Sequence, residues 1–271
     1  MHTDELPIQL VAIDLDGTLL NDSKQVSEQT AAALRNLPAR GVRVIIASAR
    51  PPRSVRHIYQ SLRLDTWQIN YNGALIWDEP GRRVVFHLPM PGEVARRVIE
   101  YARELFPDVL VSCEVQDRWL TDRHEQKHTT ETGRLFRPDK IADVTEMCSE
   151  PVTKLLLLGP PAMMSHLAPK IADLHSEVSL AQSDSDLIQI MNAGVSKAIA
   201  LRHVADHYHV AMSNVMAIGD APNDIAMLEA AGVAVAMDNA HPEVKRVADW
   251  VAPSNNDHGV HAALRRYGLC V

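Results

Sequence analysis

The stretch that decides the fold is Ile8–Leu19, which reads Ile-Gln-Leu-Val-Ala-Ile-Asp-Leu-Asp-Gly-Thr-Leu. Its first half, Ile8–Ile13, is a short run of apolar and β-branched residues, the pattern of a buried strand. Asp14–Thr18 follows directly, and a glycine after a buried run indicates a turn. The stretch therefore predicts a buried strand that ends in a polar, glycine-containing turn.

The residues that follow alternate between predicted helices and strands. Ser27 is placed to cap an alanine-rich helix, and Gly41 just past its end is a stop signal. Val42–Ala47 is a second apolar strand, and a helix at about Arg53–Leu64 leads to a third strand at about Thr66–Asn70. This order predicts an α/β fold with a doubly wound parallel sheet, because continuous apolar strands need helices on both faces.

The pattern changes near Asp78. Beyond it a pair of strands joined by a turn precedes mixed helices and strands, and His124–Glu150 is polar and weakly patterned. Further along the chain the alternation resumes. We therefore predict a discontinuous core of residues 1–78 and 187–271, interrupted by an α+β domain of residues 79–186.

Composition excludes several classes of protein. The 271 residues include 27 Lys+Arg and 34 Asp+Glu, a formal net charge of −7, which argues against a nucleic-acid partner. The longest apolar runs have the length of strands, and the acidic N-terminus lacks the features of a signal peptide. The three cysteines are far apart and form no Cys-x-x-Cys, so we expect neither a disulfide framework nor a zinc cluster. The expectation is a cytoplasmic protein with no membrane contact.

Asp14 and Asp16 stand two residues apart where the first strand ends. Ligand sites in open parallel sheets lie beyond the carboxyl ends of the strands. Two carboxylates so close repel each other unless a cation or a proton lies between them, which favours a divalent metal or an acid–base role. Gly17 would let backbone N–H groups approach an anion. A solvated turn and a calcium loop remain open as alternatives.

A second acidic turn, Gly219–Asp224, follows the predicted strand Val215–Ile218. It adds Asp220 and Asp224 at another strand end of the same sheet. Mg²⁺ prefers such oxygen ligands, usually one or two carboxylates with waters and a substrate phosphate. The alternative is an Asx turn that leads into a helix N-terminus, where acidic residues are favourable.

Two further side chains are suited to binding a phosphate. Ser48 offers a hydroxyl at the end of the second strand. Lys197 begins a predicted helix, where the helix dipole disfavours a positive charge, so its position indicates another role. For each residue alone, an ordinary structural role remains open.

Taken together, these positions resemble the haloacid dehalogenase-like hydrolases, specifically the Cof-type phosphatases. Asp14–Leu19 is similar to the first motif of the family, Ser48 to the second, Gly194–Lys197 to the third and Gly219–Asp224 to the fourth. Asn72-Gly73-Ala74 and Gly232–Ala240 also match. The family resemblance implies a Rossmann-like core, and the insertion stands where this subgroup carries its α+β cap.

The resemblance implies a Mg²⁺-dependent phosphatase of small phosphorylated metabolites, above all sugar phosphates, with an aspartyl-phosphate intermediate. It implies roles for individual residues: Asp14 as nucleophile; Asp16 as acid and base; Ser48, Lys197 and Asn223 as phosphate-binding groups; Asp14, the backbone carbonyl of Asp16 and Asp220 as metal ligands; Asp224 as a support to the metal site; and Arg50 and Asn72 at the border of cap and core.

Two departures from the family pattern are Ala49, where glycine is common, and Gln189, where an acidic residue is common. Two other functions remain open: a phosphomutase on the same scaffold, and a non-catalytic protein that binds a phosphorylated ligand. The motifs specify neither the substrate, nor the oligomeric state, nor the resting position of the cap. Candidates for substrate contact within the cap are Glu114, Arg118, Trp119, Arg123 and His124.

Overall fold

The computed structural model describes residues 8–123 and 131–271. In these ranges the strands, in chain order, are β1 (Leu10–Ile13), β2 (Arg43–Ile46), β3 (Trp67–Asn70), β4 (Leu75–Asp78), β5 (Arg83–His87), β6 (Leu110–Val115), β7 (Arg118–Thr121), β8 (Lys140–Ile141), β9 (Lys154–Leu158), β10 (Val178–Asp184), β11 (Leu187–Asn192), β12 (Val215–Gly219), β13 (Val233–Met237) and β14 (Trp250–Ala252). The α-helices are α1 (Glu28–Asn36), α2 (Pro52–Leu62), α3 (Gly92–Leu105), α4 (Glu131–Leu135), α5 (Val144–Met147), α6 (Pro161–Leu174), α7 (Lys197–His207), α8 (Ile225–Ala230), α9 (Pro242–Val247) and α10 (Gly259–Arg266).

The described residues form two compact units. The first contains the described residues up to Val85 together with those from Ser196 onward, and the second is the described part of Phe86–Val195. The first unit is discontinuous in sequence and carries the α/β pattern. The second is the inserted segment.

A five-stranded sheet forms the centre of the first unit, in the order β14-β13-β12-β1-β2. Every neighbouring pair in it is parallel. All four residues of β1 are buried, as an apolar run in the middle of a parallel sheet predicts. The predicted α/β class with a parallel sheet is confirmed.

The direction in which strands are added to this sheet reverses at β1. The early strand β2 lies on one side of β1, whereas β12, β13 and β14 extend the sheet on the other side. Ligands of open α/β sheets bind beyond the carboxyl ends of the strands at such a switch point. Ile13 is in register with both Ile46 and Ile218, so the loops after β1, β2 and β12 begin at the same edge.

Local signals determine where α1 begins and ends. Ser27 caps the helix as predicted, because its side chain accepts a hydrogen bond from the backbone N–H of Thr30. The helix ends at Asn36, since Pro38 opens a separate 3₁₀ turn. Gly41 adopts φ 77° at the end of that turn, so the glycine stop signal acts on the turn rather than on the helix.

A second, smaller sheet has the order β3-β4-β5. Strands β3 and β4 pair antiparallel across a short turn that contains Asn72 and Gly73. The strand pair that the sequence predicts near Asp78 is present as β4 and β5.

The second unit contains a six-stranded sheet in the order β10-β11-β9-β6-β7-β8. Its pairs are antiparallel except for β7 with β8. Alternate leucines of β9 belong to different clusters: Leu155 and Leu157 pack with residues of α3 and α6, whereas Leu156 and Leu158 form a smaller cluster with Leu110 and Leu187. Period-two alternation therefore separates a helix-covered face of this sheet from its other face.

The boundaries of the units differ from those expected from the sequence. The sequence places them at Asp78 and Asp186, whereas the units divide after Val85 and after Val195. The second difference has a clear cause: β11 pairs with both β9 and β10, and these pairings hold residues that follow Asp186 in the second unit. From the sequence, a strand at Gln189 was implied only by the family resemblance, and the residues after Asp186 were assigned to the core.

The candidates for substrate contact in the second unit have different surroundings. Glu114 and Trp119 are buried and lie opposite each other on β6 and β7. Arg118 Nη2 lies 2.8 Å from Oε1 of Glu150, and Arg123 Nη1 lies 3.1 Å from Oδ2 of Asp122. His124 lies outside the described residues. In the part of the chain that the structure describes, every helix is too short or too polar to cross a membrane.

Candidate active site

The turn after β1 lies against the loop after β12. The backbone N–H of Asp14 donates to the carbonyl oxygen of Ile218 at 2.9 Å, which continues the sheet pairing past the end of the strand. The hydroxyl of Thr18 donates to Oδ1 of Asp220 at 2.7 Å. Gly17 has φ 84°, and a Cβ at this position would lie 2.4 Å from Oδ2 of Asp220. Both the backbone angle and the available space therefore require glycine here.

A buried lysine joins two of the site's carboxylates. Lys197 is the first residue of α7, and Ser196 caps the helix by accepting a hydrogen bond from a backbone N–H. The Nζ of Lys197 donates to Oδ1 of Asp14 at 2.5 Å and to Oδ1 of Asp224 at 2.6 Å. Burial alone would lower the pKa of this ammonium group, but the two carboxylates outweigh burial and raise it. Lys197 is therefore held as a cation.

Asp224 organises the loop after β12. It is fully buried, and its Oδ1 accepts the bond from Lys197. Its Oδ2 accepts hydrogen bonds from the backbone N–H groups of Asp220 at 3.1 Å and Ala221 at 3.0 Å. A Cβ on Gly219 would lie 2.6 Å from the Cβ of Asp224, so a glycine is needed for this close approach. With both oxygens in use, Asp224 fixes the loop and the lysine together.

Asp14, Asp220 and Asp224 form a compact group in which one oxygen of each carboxylate lies within 4.8 Å of the others. Burial, together with the charges of Asp224 and Asp220, raises the pKa of Asp14 well above its ordinary value despite Lys197. Burial likewise raises the pKa of Asp220 to about 6. Crowded, partly desolvated carboxylates are stabilised in their ionised form by a bound cation, and oxygen donors suit Mg²⁺. The group is compatible with a divalent metal site.

Asp16 has a different environment from Asp14. Arg50 donates to Oδ2 of Asp16 from Nε and to Oδ1 from Nη2, each at 2.6 Å. Lys24 Nζ donates to Oδ1 at 2.8 Å. Burial raises the pKa of Asp16, but the hydrogen bonds and charges of Arg50 and Lys24 outweigh it and lower the pKa. Within one turn, therefore, Asp14 faces a lysine and two carboxylates, whereas Asp16 faces two cations.

The remaining predicted site residues lie on the loops after β2, β3 and β12. Ser48 is buried, and its Oγ accepts a hydrogen bond from the backbone N–H of Arg50 at 3.1 Å. Asn223 Nδ2 donates to Oδ1 of Asn72 at 2.9 Å. Arg50 and Asn72, expected at the border of cap and core, therefore each contact a predicted site residue within the first unit.

Sequence reasoning missed two residues that contact the site. Thr18 holds Asp220, and its place directly after Gly17 in the acidic turn is a signal that could have identified it. Lys24 contacts Asp16 from a later position in the segment between β1 and α1. The sequence contains no periodic or motif signal for that contact.

Comparison with known proteins identifies the family. A family profile described as haloacid dehalogenase-like hydrolase matches residues 11–264. The chain belongs to the haloacid dehalogenase-like hydrolases. The match extends over both units and includes every predicted site residue of this hydrolase.

Two curated phosphatases of Bacillus subtilis (strain 168) resemble this haloacid dehalogenase-like hydrolase over nearly its whole length. The 5-amino-6-(5-phospho-D-ribitylamino)uracil phosphatase YitU is 32% identical over 266 residues, covering 95% of this chain and 97% of that protein. YcsE, named for the same phosphatase activity, is 30% identical over 274 residues, covering 99% of each.

A solved structure gives the same result. A phosphatase of the HAD superfamily, BT1666 from Bacteroides thetaiotaomicron, superposes with a TM-score of 0.84 at 29% identity, covering 97% of this chain and 96% of that one. The haloacid dehalogenase-like fold and the enzyme class, a phosphatase of this superfamily, are therefore established for the chain.

Proposed function

We propose that this phosphatase is a Mg²⁺-dependent phosphomonoesterase of small phosphorylated metabolites, above all sugar phosphates, and that it acts through an aspartyl-phosphate at Asp14. The observation that carries the proposal is the buried contact of 2.5 Å between Lys197 Nζ and Asp14 Oδ1, beside two further carboxylates. A carboxylate that attacks an anionic phosphoryl group needs positive charge nearby, and Lys197 supplies it.

Asp14 is the proposed nucleophile. One of its carboxylate oxygens attacks phosphorus in line with the leaving oxygen, and the bond between phosphorus and that oxygen breaks as the new one forms. Asp16 gives a proton to the leaving oxygen, so the product departs as a neutral alcohol. Water then attacks the phosphorus of the aspartyl-phosphate, Asp16 accepts one of its protons, and inorganic phosphate leaves with Asp14 restored.

Three side chains are proposed to hold the phosphoryl oxygens. Lys197 brings a fixed positive charge, Ser48 a hydroxyl donor at the end of β2, and Asn223 an amide donor on the loop after β12. Ser48 and Asn223 belong to loops that follow β2 and β12 of the parallel sheet, whereas Lys197 begins α7 and reaches Asp14, after β1, with its Nζ. Phosphoryl transfer depends mainly on positioning and charge stabilisation, and donors built into a folded edge require little reorganisation.

Asp14 and Asp220, with the backbone carbonyl of Asp16, are the residues that would hold Mg²⁺. We assign Asp224 to positioning these ligands rather than to binding the ion itself, because its oxygens already accept three hydrogen bonds. When bound, the ion supplies charge neutralisation on the transferring phosphoryl group and holds Asp14 in place.

The proposed substrate class draws on the relatives and on the second unit. YitU and YcsE are named for a phosphate ester on a ribityl chain, a sugar alcohol. We assign substrate selection to the second unit, whose sheet buries polar side chains: Lys154 Nζ donates to Oε1 of Gln189 at 3.2 Å, and both residues are buried. Gln189 is neutral where the family resemblance leads us to expect an acid, and we infer that this departure alters what the site accepts.

The test is phosphate release from a panel of sugar phosphates, sugar-alcohol phosphates, nucleotides, pyridoxal phosphate and flavin mononucleotide. We expect release that needs Mg²⁺, stops with chelator and is concentrated on a few sugar-type esters. Asp14→Asn should lower kcat/KM on the order of a thousandfold or more, because the covalent route is lost. The matched control is Asp238→Asn, a residue whose side chain is 71% exposed, which should leave the rate unchanged.

Three results would contradict the proposal. Formation of an isomerised sugar phosphate without free phosphate would identify a mutase. Binding of a phosphorylated compound without turnover would identify a regulatory protein. Turnover by Asp14→Asn close to that of the wild type would show that Asp14 is not the nucleophile.

A further inference from the structure

A strained turn between β3 and β4 lies buried beside the predicted site. Asn72 has φ 56° and ψ 22°, and its neighbour Tyr71 has φ 49°. Left-handed backbone is unfavourable for residues that carry a Cβ, and it persists only where the surroundings hold it. Both residues are buried, with Asn72 at 8% exposure, so this strain lies in the interior and not on a loop tip.

Contacts with two other loops hold the turn in place. The backbone N–H of Asn72 donates to the carbonyl oxygen of Ser48 at 3.1 Å. Gly73 has φ 102°, and a Cβ there would lie 2.3 Å from the carbonyl oxygen of Ser196, so its backbone packs directly on the start of α7. The turn therefore lies between the loop that carries Ser48 and the helix end that carries Lys197.

The side chain of Asn72 reaches a third loop. Its Oδ1 accepts the hydrogen bond from Asn223 Nδ2 at 2.9 Å. A primary amide can present either N–H or C=O to a ligand, and a phosphoryl oxygen accepts only from N–H. An acceptor placed against the amide selects the orientation in which nitrogen faces Asn72. The second N–H on the same nitrogen then remains for another acceptor.

We propose that Asn72 is a positioning residue, which orients the amide of Asn223 toward the phosphoryl group from a turn tied to the loop of Ser48. It rests on the proposed function, in which Ser48, Lys197 and Asn223 bind that group. The strained backbone is what lets a single residue bond to the Ser48 loop through its N–H and to Asn223 through its side chain.

The decisive variant is Asn72→Gly. Glycine adopts φ 56° without steric cost, so the backbone contact with Ser48 is kept while the side-chain acceptor is lost. The readout is the Kd of inorganic phosphate by titration calorimetry with MgCl₂ present, together with kcat and KM for p-nitrophenyl phosphate. We expect the Kd and KM to rise about tenfold, the effect of one lost hydrogen bond to an anion-binding group.

A matched control and a double variant separate positioning from general damage. Arg63→Gly makes the same kind of change at φ 55° on the exposed end of α2 and should leave the Kd unchanged. In the background of Asn223→Ala, Asn72→Gly should change the Kd by less than about twofold, because its target is already absent.

Each contrary outcome is distinct. Phosphate affinity of Asn72→Gly equal to that of the wild type would overturn the proposal. A double variant whose Kd for phosphate rises by the product of the two single-variant effects would also overturn it. A lowered thermal midpoint with unchanged Kd would show a purely structural role and also overturn it. Wild-type protein that binds phosphate but hydrolyses no ester would refute the proposed function alone, since the calorimetric readout still decides the role of Asn72. Absence of phosphate binding by the wild type would overturn both.

Discussion

Arg50 holds both carboxylate oxygens of Asp16, through Nε and Nη2, at 2.6 Å each. Two-point contacts between a guanidinium and a carboxylate are strong for ion pairs, and the Arg50 side chain is only 11% exposed. This contact favours the ionised form of Asp16. The proposed first step needs Asp16 to donate a proton, so Arg50 opposes the acid role and favours the later role of Asp16 as a base.

Arg50→Met should therefore move the pH dependence of an ester with a poor leaving group, such as glycerol phosphate. Arg50 lowers the pKa of Asp16, so its removal raises that pKa. The protonated acid then persists to higher pH, and the limb on which kcat/KM falls with rising pH moves to higher pH. The measurement is the pH profile of kcat/KM. Lys24→Met, at a residue that is 48% exposed, should give a smaller shift, and coincident limbs in Arg50→Met and wild type would contradict the assignment.

Asp16→Asn should separate the two chemical steps. With p-nitrophenyl phosphate the leaving group departs without a proton, so Asp14 is still phosphorylated, whereas hydrolysis of the aspartyl-phosphate lacks its base. We expect a burst of about one equivalent of nitrophenolate per active site, followed by slow turnover. Intact-protein mass spectrometry should then show one added phosphoryl group. Slow turnover with no burst and no mass change would argue against a covalent intermediate.

Mg²⁺ binding should weaken as the pH falls through about 6, the value to which burial raises the pKa of Asp220. Above that pH the carboxylate is ionised and binds the cation, whereas below it a proton competes, by about tenfold for each further pH unit. The folding stability of the apo protein should depend on pH in the opposite direction from the Mg²⁺ affinity. Because the pKa of Asp220 is higher in the folded state than in the unfolded state, the stability of the apo protein falls as the pH rises from the ordinary carboxyl range to about 6.

Calorimetric titrations of Mg²⁺ at a series of pH values measure this competition. Thr18→Val provides the matched test, because the Thr18 hydroxyl bonds to Asp220 Oδ1 at 2.7 Å and lowers its pKa. The variant should move the midpoint of the Mg²⁺ dependence to higher pH. An affinity that is flat between pH 5 and 8 in the wild type would exclude Asp220 as the titrating ligand.

The sequence could predict the fold and the set of candidate residues because both depend on short-range patterns. Buried strands that end in acidic, glycine-containing turns place Asp14 and Asp220 at one edge whenever the strands are parallel neighbours. Contacts that depend on side-chain direction were beyond that reasoning. Nothing in the spacing says that the Asp16 carboxylate bonds to Arg50.

The second unit was less predictable for a related reason. Strand β11 reads Leu-Ile-Gln-Ile-Met-Asn, a pattern shared with a buried helix segment, and only its pairing with β9 and β10 assigns it to that sheet. Asn72 stood out in the sequence as part of a matching tripeptide and as a candidate at the border of cap and core. Its left-handed backbone and its bond to Asn223 are tertiary facts.

Lys197→Met should destabilise the protein as well as inactivate it. The lysine side chain is 0% exposed and pairs with Asp14 and Asp224, so its loss leaves two buried carboxylates without their cation, at a cost of about 3–5 kcal/mol. Urea denaturation at pH 7.5 without metal measures that cost. Lowering the pH should recover part of the loss, because burial raises the pKa of Asp14 and its protonation removes one of the two buried negative charges. Lys245→Met is the matched control: its side chain is 33% exposed and pairs with Asp238 at 3.3 Å, so the change should cost less than about 1 kcal/mol. Equal losses in the two variants would show that Lys197 does not neutralise the buried carboxylates in the folded protein.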